Sequence, residues 1–537
     1  MRSALFLATG VAGLATGSPL LLRQTNSTVD KYDWSEIEAS PDLKWQSCFQ
    51  NYTCARLIVP LDYTNTSAGS TTIAYIRQSA VNNASESEDI LINPGGPGQS
   101  GVDMLLGLGS QLAQILGPQY NIVGFDPRGV NNSGPALNCF ADDEEGKILQ
   151  SFYSTQFIRS VDGKSEYSLR HQYEQATAFG KWCTEFNKNT DAKYANTVAD
   201  SYDMTNYIEK SATEKDKDAK EAKLHYYGVS YGTILGSVYS SLFPHRMGKV
   251  VLGGVADVPN HYPGTLTTDL ENVDAAIANC FHFCHASGPT KCALYENSVD
   301  AIATRTRNVL EAVRKSPIPV YDSEIVKYPT LVTYEQVDFL LLTGMYSPLA
   351  QWPSLAQTLS DVENRDGLAV VRYLQFANPG IVGNTPLIGG LDSVHQSRGR
   401  FDTYEKWTGH LEKMTEQSQW VADAWAPLGL MVKDLEIYPP ESQLFNGSLF
   451  NVTTNSPILF VSNTHDPATP LPGARKMHDL FPGSGLLVQD APGHIASLSA
   501  QSNCTWGYIG QYFATGELPP QNTTCTVESV PFITISE

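Results

Sequence analysis

A serine between two glycines is the first candidate for chemistry in this chain. The segment Gly228-Val-Ser-Tyr-Gly232 has the G-x-S-x-G pattern, in which a sharp turn from a strand into a helix presents a nucleophilic serine. The pattern alone is weak, since about 0.2 chance matches are expected in a chain of this length. However, the apolar stretch 224–229 predicts a strand before it, and the small-residue stretch 233–241 predicts a helix after it. This context favours Ser230 as a nucleophile over an ordinary surface turn.

Two residues near the C-terminal end could activate that serine. A serine hydroxyl needs a general base, and the base needs a carboxylate that orients it. With this kind of turn, the acid and the histidine follow the serine in the order Asp, His. Asp466 follows the apolar stretch 457–462, and His494 follows the stretch 485–489. Reactive groups gather at the carboxyl ends of sheet strands, so we predict a catalytic triad of Ser230, Asp466 and His494.

Neighbouring residues supply the alternatives to this triad. Asp490 is the reserve acid. His478 lies in a helix-like stretch and is expected at the surface, and His465 precedes Asp466 and is expected to be a loop residue.

Stabilisation of a tetrahedral oxyanion requires two preorganised N–H donors. We expect the amide of Tyr231, the residue after the nucleophile, to be one of them. The turn Pro94-Gly-Gly-Pro-Gly98 directly follows the apolar stretch 89–93, and its Gly96 amide is the second candidate, because glycine lets the backbone approach a substrate closely. The alternative interpretation is an ordinary Gly/Pro turn that only connects two elements.

The elements that must position these residues alternate along the chain. Polar helical patterns cover about 165–210, and amphipathic helices rich in Trp and Tyr, without clear strand alternation, fill 260–450. This pattern predicts an α/β fold with a mainly parallel central sheet and an inserted helical cap. The expected strands lie at 55–60, 71–77, 89–93, 120–125, 224–229, 249–254, 457–462 and 485–489. The expected segments are a signal peptide (1–17), an N-terminal leader (18–40), the first part of the core (41–259), the helical cap (260–450) and the C-terminal part of the core with the acid and the histidine (451–537).

The N-terminus and the sequons indicate export. Met1-Arg2 is followed by an apolar run, 4–15, and by small residues, which is the pattern of a secretory signal peptide. The run is too short to span a bilayer, and no other stretch approaches the required length. The chain has nine N-x-S/T glycosylation sequons, at Asn26, Asn51, Asn65, Asn83, Asn131, Asn446, Asn451, Asn503 and Asn522.

The nine cysteines fall largely in close pairs, as disulfides do in an oxidising compartment. A zinc cluster around Cys280 and His285 is the alternative, but its spacing fits no common ligand pattern, so we expect no metal. Cys280 is left over from the pairs that we predict, which are Cys48–Cys54, Cys139–Cys183, Cys284–Cys292 and Cys504–Cys525.

Composition excludes some classes of protein. The chain has 537 residues, with 36 Lys and Arg against 56 Asp and Glu, which gives a formal net charge of −20. Its 42% hydrophobic and 17% charged residues exclude a disordered chain. The negative charge repels phosphate backbones, and no Lys or Arg cluster overrides it, so we expect no nucleic-acid partner. We also expect no cofactor and no membrane partner, and a monomer is favoured.

Taken together, the motifs resemble the secreted tripeptidyl aminopeptidase-like branch of the prolyl aminopeptidase family, within the α/β-hydrolases. The resemblance covers nearly the whole mature chain and implies a Ser-His-Asp peptidase that removes short pieces from peptide N-termini beneath a helical cap. It rests on Trp45-x-x-Cys48, Cys54-Ala55, Val59-Pro-Leu-Asp-Tyr63, Asn93-Pro-Gly-Gly-Pro-Gly98, Asp126-Pro-Arg-Gly129, Gly228-Val-Ser-Tyr-Gly232, Tyr346-Ser-Pro348, Asn463-Thr-His-Asp-Pro-Ala-Thr-Pro470, Gly493-His494 and Cys504…Gly516-Glu-Leu-Pro519…Cys525.

The chain departs from this family in two places. Pro94 stands where the wider family has His before the glycine turn, as in the tripeptidyl branch, and the segments 387–392 and 421–425 lack the cysteine pair that relatives often carry in the cap. The resemblance also implies cap carboxylates that hold the free ammonium group of the substrate. Asp392 and Asp423 are the candidates, and solvated surface acids are the alternative interpretation of both.

Three functions are compatible with these residues. The first is a secreted serine exopeptidase. The second is a carboxylesterase or lactonase on small esters, because the same triad and cap serve both chemistries. The third, a catalytically inactive secreted binding protein, is disfavoured by the complete triad.

Overall fold

The computed structural model describes residues 33–156, 160–264, 266–324, 326, 328–377, 385–445 and 452–532. The expected signal peptide and most of the expected leader lie outside the described residues, as do the sequons at Asn26, Asn446 and Asn451.

The strands fall mainly where apolar stretches interrupt polar sequence, and the strand before Ser230 has the predicted bounds. Two short strands, β9 and β10, form an antiparallel hairpin inside the segment expected to be wholly helical. The strands are β1 (Ala39–Ser40), β2 (Gln46–Cys48), β3 (Tyr52–Pro60), β4 (Ser70–Gln78), β5 (Asp89–Asn93), β6 (Asn121–Phe125), β7 (Leu224–Val229), β8 (Met247–Gly253), β9 (Ile318–Val320), β10 (Thr330–Val332), β11 (Ile458–His465), β12 (Gly485–Pro492) and β13 (Thr524–Cys525).

The central sheet is mainly parallel, as the sequence predicts. Its strands run in the order β1-β3-β4-β6-β5-β7-β8-β11-β12-β13, with β2 paired to β3. The strands from β6 to β13 in this order are parallel to one another, whereas β4 is antiparallel to both of its neighbours, β3 and β6. The carboxyl ends of β5, β7, β8, β11 and β12 therefore lie along one edge.

Helices cover both faces of the sheet and build the segment between β8 and β11. They are α1 (Gly101–Leu116), α2 (Glu144–Gln156), α3 (Glu166–Asn187), α4 (Thr197–Glu214), α5 (Tyr231–Leu242), α6 (Val258–His261), α7 (Val273–Ser287), α8 (Val299–Lys315), α9 (Tyr334–Gly344), α10 (Pro348–Glu363), α11 (Leu368–Ala377), α12 (Thr385–Ser393), α13 (Tyr404–Gln417), α14 (Ala422–Trp425), α15 (Pro427–Leu430), α16 (Leu471–Leu480), α17 (Ala496–Ser499) and α18 (Asn503–Thr515).

Neighbouring residues of one strand pack on opposite faces of the sheet, since side chains alternate along a strand. In β7, Tyr226 joins the apolar cluster that holds α4 and α5, whereas Tyr227 joins the cluster on the other face, with α1 and α18. A third cluster lies off the sheet and is built mainly from α7 to α11, α13 and α14.

The third cluster does not follow the segment boundaries expected from the sequence. Tyr173 and Ala176 of α3 belong to it, although α3 precedes residue 260. Conversely, Leu387, Ile388 and Leu391 of α12 pack in the cluster of the sheet that also holds α4 and α5. Burial depends on how helices dock, and sequence order does not determine this. The helix α12 is therefore anchored on the core although its sequence lies in the segment expected to be cap.

The four disulfides in the structure are the four pairs expected from the cysteine spacing, and Cys280 is a buried free thiol. The six sequon asparagines that the structure describes are all exposed; they are Asn51, Asn65, Asn83, Asn131, Asn503 and Asn522.

Neither a membrane span nor a metal cluster is found among the described residues. None of their helices is both long enough and apolar enough to cross a membrane. They also contain no group of three His, Cys, Asp or Glu side chains placed to hold a metal ion.

A fully buried arginine ties α4 to the sheet. The Arg128 guanidinium, in the loop after β6, donates to both carboxylate oxygens of Asp203 at 2.7 and 2.8 Å, and its amide donates to Asp200 at 2.8 Å. The remaining guanidinium donors bind the carbonyls of Pro60, Leu61 and Tyr194. A bidentate pair with every donor used is the arrangement that can offset the desolvation cost of two buried charges.

Replacement of this arginine tests how far the fold depends on it. We expect Arg128→Met to lower the free energy of unfolding by about 3–5 kcal/mol, because it leaves a buried carboxylate without its counter-charge. Urea denaturation followed by fluorescence measures the loss. Lys188→Met, which breaks an exposed pair with Glu185, is the control and should change stability by less than about 0.5 kcal/mol. Equal midpoints for Arg128→Met and the native chain would contradict this role.

Candidate active site

Ser230 occupies a strained turn between β7 and α5. Its φ of 56° and ψ of −126° lie in a region that costs a non-glycine residue on the order of 1–3 kcal/mol. The Ser230 amide donates to the Gly253 carbonyl at 2.9 Å, and its carbonyl accepts from the Thr233 amide at 2.8 Å. A Cβ at position 228 would lie 2.4 Å from the Tyr226 ring, so this position requires glycine. The surrounding backbone therefore enforces the strained turn, as expected from the motif.

Asp466 and His494 form a buried carboxylate–imidazole pair at the same edge of the sheet. The Nδ1 atom of His494 lies 2.9 and 3.1 Å from the two carboxylate oxygens of Asp466. The backbone amides of Ala468, Thr469 and Ile495 also donate to this carboxylate, at 2.9 to 3.1 Å. Together these contacts fix both the position and the orientation of the acid.

The electrostatics of this pair favour an ionised acid. Burial alone would raise the pKa of Asp466, but the charge and hydrogen bond of His494, with the amides of Thr469 and Ala468, outweigh it and lower the pKa. An ionised Asp466 accepts a hydrogen bond from His494 Nδ1–H, and this assigns the Nδ1–H tautomer and leaves Nε2 as the acceptor. The Thr469 hydroxyl lies 3.2 Å from the same Nδ1.

The strand order brings the three residues of the predicted triad together. Ser230 follows β7, Asp466 follows β11 and His494 follows β12, and these strands neighbour one another through β8. The end of β8 contacts both the serine turn and the histidine. The Gly253 carbonyl accepts a hydrogen bond from the Ser230 amide, and a Cβ built on Gly254 would lie 3.4 Å from His494 Cε1.

The glycine turn after β5 packs directly against Ser230. A Cβ on Gly95 would lie 2.8 Å from both the Tyr231 nitrogen and the Ser230 Cβ, so only glycine fits, at a φ of 98°. Among the turn and cap hydrogen bonds of the described residues, none uses the amides of Gly96 or Tyr231 as a donor. The glycine turn therefore closes directly against Ser230 and the Tyr231 nitrogen.

Asp423 is already bound by groups of the protein itself. Its carboxylate accepts from the Gly163 amide at 3.0 Å and from the Tyr334 hydroxyl at 2.9 Å, and burial raises its pKa. It lies at the start of α14, in the third apolar cluster.

Asp392 lies close to the serine turn, but its side chain is only 2% exposed. Its two oxygens accept from the Thr197 amide at 3.0 Å and the Thr197 hydroxyl at 2.5 Å, and His261 Nε2 lies 3.2 Å away. Asp392 is therefore bound at both carboxylate oxygens, whereas both donors to Asp423 bind its Oδ2 atom.

A different carboxylate, Asp269, acts on the tyrosine that packs against His494. The Tyr346 ring packs 5.1 Å from the His494 ring, and the His494 amide donates to the Tyr346 carbonyl at 2.9 Å. Burial, then the charges of Asp466 and Asp269, raise the pKa of Tyr346, so both carboxylates act on this phenol. Asp269 keeps part of its surface exposed and accepts from Asn260 at 3.3 Å.

Asp269 was not predicted from the sequence because no motif surrounds it. It lies in the connection between α6 and α7, far from Tyr346 in sequence, and only the fold brings its charge close enough to raise the pKa of Tyr346. The Tyr346-Ser-Pro348 segment, one of the motifs shared with the resembling family, is the single sequence signal that pointed to this region.

The alternatives to the triad lie elsewhere. Asp490 is exposed and accepts from the Thr464 hydroxyl at 3.1 Å. His478 lies on α16 and contacts Ser484, and His465 ends β11. Of the two candidate acids, Asp466 is the one that is buried and in contact with His494.

Comparison with known proteins agrees with this geometry. A family model described as "alpha/beta hydrolase fold" matches residues 90–278, and one described as "TAP-like protein" matches residues 440–525. The first match contains Ser230, and the second contains Asp466 and His494.

Two full-length relatives and one local relative are informative. Serine protease Hip1 of Mycobacterium tuberculosis is 27% identical over 88% of this chain and 87% of its own length. The tripeptidyl aminopeptidase of Streptomyces coelicolor is 24% identical over 92% of this chain and 87% of its own length. Carboxylesterase B of Mycobacterium tuberculosis is 36% identical, but over only 20% of this chain and 22% of its own length.

The family matches cover both halves of the sheet, and the strand order, the strained serine and the carboxylate–histidine pair agree with them. The chain therefore has the α/β-hydrolase fold, and its C-terminal segment matches the family model of a TAP-like protein.

Proposed function

We propose that this chain is a secreted serine exopeptidase that releases short peptides or single residues from the N-termini of peptides. The observation that carries the proposal is the Asp466–His494 pair at the same sheet edge as the strained Ser230. Its similarity over most of its length to a serine protease and a tripeptidyl aminopeptidase supports peptides as substrates. The disulfides and the signal-like N-terminus support export.

The proposed reaction is an acyl transfer through a covalent intermediate. His494 Nε2 takes the proton of Ser230 Oγ as the oxygen attacks the scissile carbonyl, and Asp466 stabilises the resulting imidazolium. The amides of Gly96 and Tyr231 donate to the oxyanion. His494 then returns the proton to the leaving amine, and water hydrolyses the acyl-enzyme by the same steps in reverse order.

We propose Asp269, in place of Asp392 and Asp423, as the group that binds the substrate ammonium. A receptor for an ammonium group must present a carboxylate with free acceptor capacity near the reacting carbonyl. Asp269 is part-exposed and its charge acts on Tyr346, whose ring packs against His494. Asp392 is bound at both oxygens by Thr197 and His261, and the hydrogen bonds of Asp423 among the described residues, from Gly163 and Tyr334, join it to no residue of the triad. An exopeptidase that measures a fixed distance from the free N-terminus requires such an anchor.

An esterase is the second candidate, supported by the local similarity to carboxylesterase B. A matched set of substrates separates the two functions. We expect hydrolysis of Ala-Ala-Pro-anilide with a free N-terminus, little hydrolysis of its acetylated counterpart, and complete loss in Ser230→Ala. Release of the anilide is followed by absorbance. Turnover of a short-chain nitrophenyl ester without turnover of either peptide would retain the triad and overturn the peptidase proposal.

The identity of the acid is tested by two substitutions on neighbouring strands. We expect Asp466→Asn to lower kcat by about 10⁴-fold, because the histidine then takes the wrong tautomer and its charged form is not stabilised. Asp490→Asn, at the exposed reserve acid, should change kcat by less than about twofold. Steady-state kinetics with active-site titration measures both. A large loss in Asp490→Asn with an active Asp466→Asn would reverse the assignment.

Asp269 predicts a pH dependence that is specific to free-amine substrates. Burial, then the charge of Asp257, raises the pKa of Asp269 to about 7, so the carboxyl is protonated below that pH and ionised above it. The ratio of kcat/KM for the free peptide to that for the ester should therefore rise between about pH 6 and pH 7.5. It should fall at higher pH, where the α-amino group of the peptide, with a pKa of about 7.7–8.0, loses its proton. Titration of the triad cancels in this ratio, since both substrates use the same serine.

Substitution of the two carboxylates provides the control for this pH profile. Asp269→Asn should flatten the ratio and raise KM for the free peptide, and Asp423→Asn should leave the slope unchanged. A slope that survives in Asp269→Asn would exclude Asp269 as the ammonium site.

A further inference from the structure

A chain of hydrogen bonds runs from α12 through α4 to the residue after the nucleophile. The Tyr231 hydroxyl is hydrogen-bonded to the Thr197 hydroxyl, and the Thr197 hydroxyl donates to Asp392 Oδ2 at 2.5 Å. A threonine hydroxyl has one proton to donate, so the phenol of Tyr231 is the donor in the first contact. The Thr197 amide adds a second bond to Asp392, at 3.0 Å.

The residues of this hydrogen-bond series are buried. Thr197 is 0% exposed and Tyr231 is 4% exposed, and His261 Nε2 contacts Asp392 at 3.2 Å from the far side. Burial and the charge of Asp392 raise the pKa of Tyr231, which keeps the phenol protonated as a donor. A buried hydroxyl that lost its partner would pay its full desolvation penalty, so these contacts hold one geometry.

The backbone of Tyr231 belongs to the proposed site. Its amide is a candidate oxyanion donor, and it directly follows the strained Ser230. A strained turn keeps its geometry only when the surrounding structure over-determines it. The amide is fixed by the turn on one side, and the hydrogen-bonded phenol fixes the ring of the same residue on the other.

We propose that Asp392 and Thr197 are positioning residues that hold the Tyr231 amide in place for the oxyanion by fixing the Tyr231 side chain. The inference rests on the proposed serine hydrolase chemistry and extends it to residues that touch no substrate. Because α12 packs on the core through Leu387 and Leu391, the device is preorganised in the resting enzyme. A loosened amide lowers the rate of the acyl-transfer step but leaves ground-state binding unchanged.

The same two helices offer a matched control pair. The Thr205 hydroxyl donates to the Ser201 carbonyl at 3.2 Å and lies 3.5 Å from the Tyr239 hydroxyl, with the same 34-residue separation as Thr197 and Tyr231. Thr205 lies on α4 and Tyr239 on α5, remote from the serine turn. A contribution made only by packing α4 against α5 would therefore be shared by both pairs.

The experiment compares Thr197→Val, Tyr231→Phe and their double variant with Thr205→Val and Tyr239→Phe. We expect each site variant to lower kcat by about 5–30-fold with KM within about twofold, which is less than the loss of a whole oxyanion donor. Affinity for a tripeptide aldehyde, which forms the tetrahedral adduct, should fall by the same factor as kcat/KM. The double variant should lose no more than the larger single loss, and Thr197→Ser should restore most of the activity.

Three results would overturn the inference. One is a change in KM alone; another is an equal loss in the Thr205 and Tyr239 controls; the third is a lower melting temperature with unchanged kcat per titrated active site. Labelling with a serine-reactive phosphonate supplies that titration and corrects for misfolded enzyme.

Failure of this inference is distinguishable from failure of the proposed peptidase function. An ester also passes through an oxyanion, so the same variants are assayed on the nitrophenyl ester. If the native chain hydrolyses only the ester, the peptidase proposal is overturned. The positioning role is still supported if the site variants show the expected losses of kcat on that ester. Hydrolysis of neither substrate by the native chain overturns both.

Discussion

The backbone of Ser230 is the constraint on which the rest of the site depends. A residue with a side chain is held at a φ of 56°, at a cost on the order of 1–3 kcal/mol, and that conformation persists only because several elements fix it together. The end of β8 binds its amide, the first turn of α5 binds its carbonyl, and the glycine turn after β5 closes against it. A parallel sheet supplies all three because its carboxyl ends converge on one edge.

The carboxylates around this edge differ in what their environment leaves free. Asp466 is completely buried, yet His494 and three amides keep it ionised and oriented. Asp392 is also buried and is bound at both oxygens, by Thr197 and His261, so its carboxylate is engaged by protein groups. Asp269 has few internal donors and a raised pKa of about 7. The role of a carboxylate near the serine therefore depends on how many hydrogen-bond donors of the protein already bind it.

Sequence patterns predicted the triad and the strands that carry it, but they did not predict contacts between residues far apart in the chain. The strand β7, the serine turn, the order of acid and histidine, and the four disulfides could all be predicted, since each depends on residues close in sequence or on a strong motif. The hairpin β9–β10 is too short for its alternation to be detected. The contact of Thr197 with Asp392 joins residues 195 positions apart, and no sequence pattern marks either of them.

The packing of α12 separates the segment 260–450 into two physical parts. Leu387, Ile388 and Leu391 lie in the apolar cluster of the sheet, whereas α7 to α11, α13 and α14 share a cluster of their own that also holds part of α3. Because Asp392 lies on α12, the hydrogen bonds that fix the Tyr231 ring belong to the part of the segment that packs on the sheet. The third cluster reaches the site by a different route, since Tyr346 packs against that cluster and its carbonyl also accepts a hydrogen bond from the His494 amide. The residue after the nucleophile and the catalytic histidine are therefore held by two different apolar clusters.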